Sequence, residues 1–290
     1  MSGAPKPSDL QLLTVRPGGV PEFRLLVAFG ADERFAPCLR DQGLWEEAET
    51  LLLQRILRPG MSVVDLGAHV GYFSVLMSQC VGPKGRVVAF EPDPAHFRLL
   101  CANVLANACD QAEARRLAIA EGKGDGRLFR SATNPGDQRL HPVPGRPSVA
   151  VRYDSLDSQL GQAGLDLVKM DCQGSEARIL DGMTGLIERN RERLCLLMEF
   201  APGLLLQGGC SVDQFADKLG QLGACVFLIA RSGRAVRLLE VDELAPGLCT
   251  IAERMAQSGE EDASENLFVV FGSRARQTWL QRGSEGGQEP

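Results

Sequence analysis

The chain has 290 residues, 44% of them hydrophobic, and a formal net charge of −6. That is material for one α/β domain with a sizeable core, or for a domain with a small appendage. Lysine and arginine are scattered rather than clustered, and aromatics make up only 6%, which argues against a nucleic-acid partner. No charged start leads into an apolar stretch, and no apolar run approaches the roughly 20 residues of a membrane helix. Neither a signal peptide nor a membrane partner is therefore expected. The nine cysteines form no C-x-x-C pair, and an odd number cannot all pair internally. They point to free thiols in a reducing, cytoplasmic setting.

Residues 1–20 are rich in Pro, Gly and Ser and read as loosely ordered, as does the tail over 282–290. The spacing predicts a helix over 44–57, punctuated by Pro59 and Gly60. A buried strand over 62–67, a helix over 72–81, a strand over 86–91, a helix over 94–108 and a strand over 114–120 follow. Residues 121–148 break this rhythm with Gly, Pro, Asn and Arg, and read as a hairpin-like insertion with a mobile tip. The alternation resumes with a strand over 166–171, a helix over 175–190, a strand over 194–200, a helix over 212–220 and a strand over 225–230. A charged segment over 231–265 precedes a last strand over 267–271. Strands alternating with helices of this length imply parallel pairing through right-handed crossovers. The chain divides into an N-terminal segment (1–42), a main domain (43–273) whose insertion is a candidate substrate loop, and a C-terminal tail (274–290).

The strongest local signal is Asp65-Leu66-Gly67-Ala68-His69-Val70-Gly71, set between a strand and a helix. Gly67 allows a tight turn at the strand end, and Gly71 is expected to let the helix approach a ligand closely. Glu91 ends the next strand, about twenty residues on, where an acidic group accepts hydrogen bonds from ribose hydroxyls. Two ligands suit this pattern. A dinucleotide prefers G-x-G-x-x-G, whereas here His69 stands at the middle glycine. S-adenosylmethionine has no pyrophosphate and instead calls for Asp65 near the ammonium of its amino acid.

The order and spacing of several blocks are more specific than this motif. They are Gly43-Leu44-Trp45-Glu46, LRPGMSVVDLGAHVGYFS over 57–74, AFEPDPAHFRLLCANVLAN over 89–107, the loop with Asn134 and Gly136, YDSLDSQL over 153–160 and LDLVKMDCQGSEARILDGM over 165–183. Together the chain resembles the FkbM family of methyltransferases from about Gly43 to Phe271. The resemblance implies a Rossmann-like class I methyltransferase fold, with a seven-stranded, mostly parallel sheet and a reversed last strand. It also implies S-adenosyl-L-methionine as methyl donor and, usually, a hydroxyl acceptor. Three departures stand out: His69 for the usual Asn, Gln173 for the usual Glu, and Leu117 before Ala118 where an Asn is often found.

Carried onto this sequence, the cofactor residues are Asp65, Gly67, Ala68, His69, Gly71, Tyr72, Glu91, Pro92, Ala118, Ile119 and Asp171. Trp45, Glu46, Asn134, Gln173 and Glu176 are expected toward the acceptor, with Trp45 and Glu46 as a lid. Methyl transfer from a sulfonium needs alignment, exclusion of water and a base for the leaving proton. Ligands of open α/β sheets bind beyond the carboxyl ends of the strands, where Asp171 and Glu199 stand. His141, in the insertion, has the side chain best suited to neutral pH. His141 or Asp171 is expected to be the base, with Glu199 orienting the acceptor. Asn103 and Asn107 share one helix face and suggest structural hydrogen bonds. No metal is expected, because Asp171 and Glu199 lack a third ligand and the chain has only three histidines. The leading reading is O-methylation of a small molecule, secondary metabolite or sugar. N-methylation of a peptide-like amide or amine is the alternative, and a non-catalytic nucleotide-binding protein a third. The oligomeric state stays open, a homodimer being one candidate.

Overall fold

A computed structural model describes residues 7–29, 32–229, 235–239, 243–258, 263–273 and 277. The chain opens with a hairpin, β1 (Leu10–Val15) and β2 (Phe23–Ala28), then helices α1 (Phe35–Gln42) and α2 (Glu47–Ile56). The alternating part runs β3 (Ser62–Leu66), α3 (Tyr72–Val81), β4 (Arg86–Phe90), α4 (Pro94–Ala106) and β5 (Ala112–Arg115). A β section follows, with β6 (Ala118–Ile119), β7 (Gly124–Arg130), β8 (Gln138–Arg139), β9 (Ser148–Asp154) and the short α5 (Leu156–Leu160). The alternation resumes with β10 (Leu167–Met170), α6 (Glu176–Asp181), α7 (Thr184–Asn190), β11 (Cys195–Phe200), α8 (Pro202–Gln207), α9 (Val212–Gln221) and β12 (Cys225–Ile229). It ends with β13 (Ala235–Leu239), α10 (Leu244–Ser258) and β14 (Glu265–Val270).

The main sheet has the order β13-β12-β14-β11-β10-β3-β4-β5. Strands β3, β4, β5, β10 and β11 are parallel. Strand β14 runs antiparallel between β11 and β12. This is the Rossmann-like sheet expected from the resemblance, with its last strand reversed. An eighth strand, β13, adds an antiparallel edge beside β12. It lies, with α10, in the segment that the sequence marked only as charged.

Successive residues of each strand point to opposite faces, and here both faces are covered, so the strands read as continuous apolar runs. Val64, Leu66, Val168 and Met170 pack with Ile179, Leu186, Phe215 and Leu248 on one side. Val63, Leu167 and Leu197 pack with Leu53, Val75, Leu76 and the hairpin residues Leu25 and Val27 on the other.

Three expectations change. Residues 10–15 are a strand, with Val15 fully buried, because the hairpin covers the α2–α3 face. The strand expected over 114–120 is split: β5 edges the main sheet, while β6 joins a second sheet of order β6-β9-β7-β8. The helix expected over 175–190 is broken at Gly182, whose carbonyl accepts the Asp157 N–H at 2.9 Å instead of continuing the ladder. The tail over 282–290 lies outside the described residues.

Two asparagines tie the hairpin to α4. Asn103 Nδ2 donates to the carbonyls of Leu26 (3.0 Å) and Val70 (2.8 Å), and its Oδ1 accepts the Leu26 N–H at 2.6 Å. Asn107 repeats the pattern on Arg24, at 2.7 and 3.1 Å. Four helical residues advance about 6 Å and two strand residues about 6.8 Å, so the spacings agree. The structural role expected for this pair is what the geometry shows.

Candidate active site

The loop from β3 to α3 forms the floor of the site. Gly67 has φ 76°, and a Cβ there would lie 2.0 Å from the carbonyl oxygen of Asp171. The first loop and the end of β10 therefore meet through bare backbone. Gly71 has φ 95°, and its Cβ would lie 2.8 Å from Leu100 of α4. It serves helix packing and lines neither cavity described below.

Asp65 is 1% exposed. Its Oδ2 accepts from Ser74 Oγ at 2.6 Å, and its Oδ1 is buried without a partner. Burial raises its pKa, against the opposing pull of Lys169 and Ser74. Glu91 accepts the His69 N–H on one carboxylate oxygen (2.8 Å) and the Asp93 N–H on the other (2.7 Å). Burial pushes it up to about 8. His69 adopts a left-handed φ of 52°, a conformation that His, like Asn, tolerates better than most residues. Its ring meets His96 edge-on at 4.3 Å and Phe35 at 5.1 Å.

Two adjoining cavities open at the strand ends. The first is bounded by Gly67, His69, Glu91, Pro92, Ala118, Ile119 and Asp171, and on its other side by Leu128, Gly136 and Gln138 of the insertion. The second, of about 380 Å³, is lined by Trp45, Glu46, Asp65, Ala68, Tyr72, Asn134, Lys169, Asp171, Gln173 and Glu199. The fold thus brings most of the sequence-predicted residues together. Tyr72 is fixed by its hydroxyl, which accepts the Trp45 N–H at 3.3 Å and lies 3.0 Å from Thr50 Oγ1.

Two further residues expected at the site lie outside both cavities. His141 lines neither cavity. Its ring nitrogens are buried, and burial followed by the charge of Arg139 lowers its pKa. The part of the insertion that carries it is pinned by Asp137, which takes Arg139 at 2.6 Å and also Arg146. Glu176 also lines neither cavity. It is 3% exposed and accepts the Cys172 N–H at 2.9 Å, holding the turn before α6.

The sequence reading missed Lys169. It is 4% exposed, with Nζ 3.5 Å from Asp171 Oδ2 and 4.4 Å above the Phe73 ring centroid. Burial pulls its pKa down, but the charges of Asp171, Glu46, Asp65 and Glu199 outweigh it and hold the ammonium above the usual lysine range. The available signal was a lysine between Val168 and Met170 in an otherwise apolar strand, since lysine is almost never fully buried unless paired. Gln173 joins the cluster by donating from Nε2 to Asp171 Oδ1 at 2.8 Å and Glu199 Oε2 at 3.0 Å. Burial, then the charge of Asp171, raises Glu199 well above the ordinary carboxylate range. Burial raises Glu46 to about 8.

Residues 65–204 match the family model described as Methyltransferase FkbM domain. That match spans just under half of the chain. Asp65, Glu91, Lys169, Asp171, Gln173 and Glu199 all fall within it. The 31-O-demethyl-FK506 methyltransferase FkbM of Streptomyces tacrolimicus is 28% identical over 159 residues, covering 44% of this chain and 61% of that protein. Methyltransferase sdnD of Sordaria araneosa is 25% identical over 155 residues, or 42% of this chain and 60% of that one. The ribosomal RNA large subunit methyltransferase E of Pseudomonas paraeruginosa is 40% identical over 63 residues, 20% of this chain and 30% of its own. The chain thus spans between 30% and 61% of the length of these relatives. A solved SAM-dependent methyltransferase from Aquifex aeolicus superposes with a TM-score of 0.44 and 14% identity, over 78% of this chain and 90% of that one. No helix among the described residues is long and apolar enough to cross a membrane.

Proposed function

We propose that the protein is an S-adenosylmethionine-dependent methyltransferase that acts on a hydroxyl of a small molecule. The observation that carries this reading is the cradle of Asp65, Gly67 and Glu91 beside the Lys169–Asp171–Gln173–Glu199 cluster, all inside the matched domain. The residues suit the cofactor. The unpartnered, buried Asp65 Oδ1 is an acceptor for the methionine ammonium. Each oxygen of Glu91 has one backbone donor and retains a lone pair for a ribose hydroxyl. Leu117, Ala118, Ile119 and Leu128 offer apolar walls for a flat base. When bound, the cofactor supplies a methyl group already activated on a sulfonium.

The chain's own part is alignment and proton removal. Gln173 holds Asp171 and Glu199 side by side, facing the cleft that admits the acceptor. Glu199 takes the acceptor's proton on its carboxylate. Burial and the Asp171 charge raise its proton affinity, and a positioned base contributes about 10²–10⁴-fold. Lys169 offsets part of the negative charge gathered around it. This assigns the proton to Glu199 in place of His141, which lines neither cavity. The nine free cysteines accord with a reducing, cytoplasmic setting.

The test is calorimetry with S-adenosylhomocysteine, followed by donor-turnover assays against panels of alcohols, sugars, amines and amides. One equivalent of the sulfur nucleoside should bind, and hydroxyl compounds should drive turnover. Binding of NAD with no affinity for S-adenosylhomocysteine refutes the reading. Turnover confined to amines or amides refutes its hydroxyl part.

A further inference from the structure

A third cavity, of about 360 Å³, meets the other two at His69, which lines all three. Its walls are Val27 and Phe29 at the end of the N-terminal hairpin, Phe35 of α1, Leu99 of α4, and Pro135 and Pro147 of the insertion. It is therefore built largely by the two additions that flank the nucleotide-binding part of the sheet. Phe35 is shared with the cleft that holds Asp171, Gln173 and Glu199.

The charged groups at its walls are already engaged. Asp32 caps α1, accepting the N–H groups of Phe35 (2.9 Å) and Ala36 (3.0 Å). Asp93 caps α4 through the Ala95 N–H at 2.7 Å and takes Arg130 Nε at 2.6 Å on its other oxygen. The imidazoles of His69 and His96 are both shifted toward the neutral form, chiefly by burial. Among the described residues at its walls, Gln138 carries a buried polar atom without a partner. Gln138 Nε2 is spent on the Pro135 carbonyl at 3.0 Å, while its Oε1 is buried and unpaired. Gln138 stands in the wall shared with the first cavity. Ligand pockets have this character, with mostly apolar walls and a few polar groups that fix orientation.

We propose that this chamber seats the uncharged, apolar body of the acceptor, while the reacting hydroxyl reaches past Phe35 and His69 to Glu199. The assignment rests on the methyltransferase reading and adds the substrate class: an alcohol borne on an apolar skeleton, as opposed to a phosphorylated or charged sugar. A charged acceptor would find its natural partners in the chamber, Arg130 and Asp93, already bound to one another.

The experiment uses N-phenyl-1-naphthylamine, a neutral apolar fluorophore, with the full chain saturated by S-adenosylhomocysteine. The wild type should bind it with a saturable rise in fluorescence. Ala28→Trp fills the chamber from the hairpin side and Ala95→Phe from the α4 side, so a failure of one to fold leaves the other. Each should weaken the fluorophore by about tenfold or more while leaving S-adenosylhomocysteine within about threefold. On acceptor panels both variants should shift kcat/KM from bulky apolar alcohols toward small ones. Failure of the fluorophore to bind the loaded wild type, or equal binding by the filled variants, overturns the proposal. If S-adenosylhomocysteine itself does not bind, the methyltransferase reading fails, and the same titrations without it decide the chamber alone.

Discussion

Replacing Gln173 by glutamate perturbs the one group that joins the two carboxylates of the cleft. The Gln173 amide donates to Asp171 at 2.8 Å and to Glu199 at 3.0 Å. An ionised glutamate would instead place a third negative charge about 3 Å from each of the others. At an effective dielectric of about 20, each such pair costs about 5–6 kcal/mol, or about 4 pKa units. The new carboxyl therefore keeps its proton near neutral pH. A carboxylic acid has a single O–H, so one of the two bonds is remade and the other is lost. A charge-assisted hydrogen bond is worth about 1.5–3 kcal/mol, which predicts a fall in acceptor-saturated turnover of about tenfold to a hundredfold. The assay is single-turnover methyl transfer across about pH 5–9 with saturating donor, beside calorimetry of S-adenosylhomocysteine. Turnover should fall, its acidic limb should move up, and nucleoside affinity should stay within about threefold. Unchanged turnover with an unchanged pH profile, or equal losses in turnover and nucleoside affinity, would refute the bridging role.

Burial raises Glu91 from 4.5 to about 8, so the ligand-free folded chain holds a proton that the unfolded chain releases. The stability tied to this group is complete below about pH 4.5 and is lost as pH rises through about 8. Glu91→Gln should flatten that decline in urea titrations and weaken S-adenosylhomocysteine by about 1–3 kcal/mol. Asn103→Ala leaves the Leu26 N–H and the carbonyls of Leu26 and Val70 without their partner. It should cost about 3 kcal/mol or more in unfolding free energy. His141→Ala should keep turnover within about threefold, whereas Glu199→Gln should lose about a hundredfold or more. The reverse ranking in steady-state assays would return the base to the insertion.

The parts of this molecule that could be read from sequence are those whose signal is local. The apolar run through Asp65, the turn at Gly67 and the acidic end of β4 follow from turn geometry and strand burial, and the strands and the turn form at those positions. Asn103 and Asn107 were legible as a structural pair because helix periodicity puts them on one face. Features decided by distant contacts were not legible. His141 looked free because it lies among prolines and glycines, yet the ion pairs of Asp137 with Arg139 and Arg146 fasten its loop, and its own ring lines neither cavity. Glu176 looked like a substrate contact because it follows the strand end, but its carboxylate turns back onto its own backbone. Lys169 was overlooked because an apolar strand suggests core, and only the tertiary fold shows four carboxylates around its ammonium. Strand β13 and helix α10 were hidden by charge density, which masked the period of the segment between β12 and β14.

The asparagines of α4 also bear on how copies of this chain meet in a crowded solution. A strand edge with unpaired N–H and C=O groups is a template on which another molecule can lay a strand, the first step toward fibres. On β2 the edge groups of Arg24 and Leu26 are taken by side-chain amides that imitate a neighbouring strand without offering a further edge of their own. At these two residues the helix acts as a stopper on the hairpin and closes that flank to self-assembly.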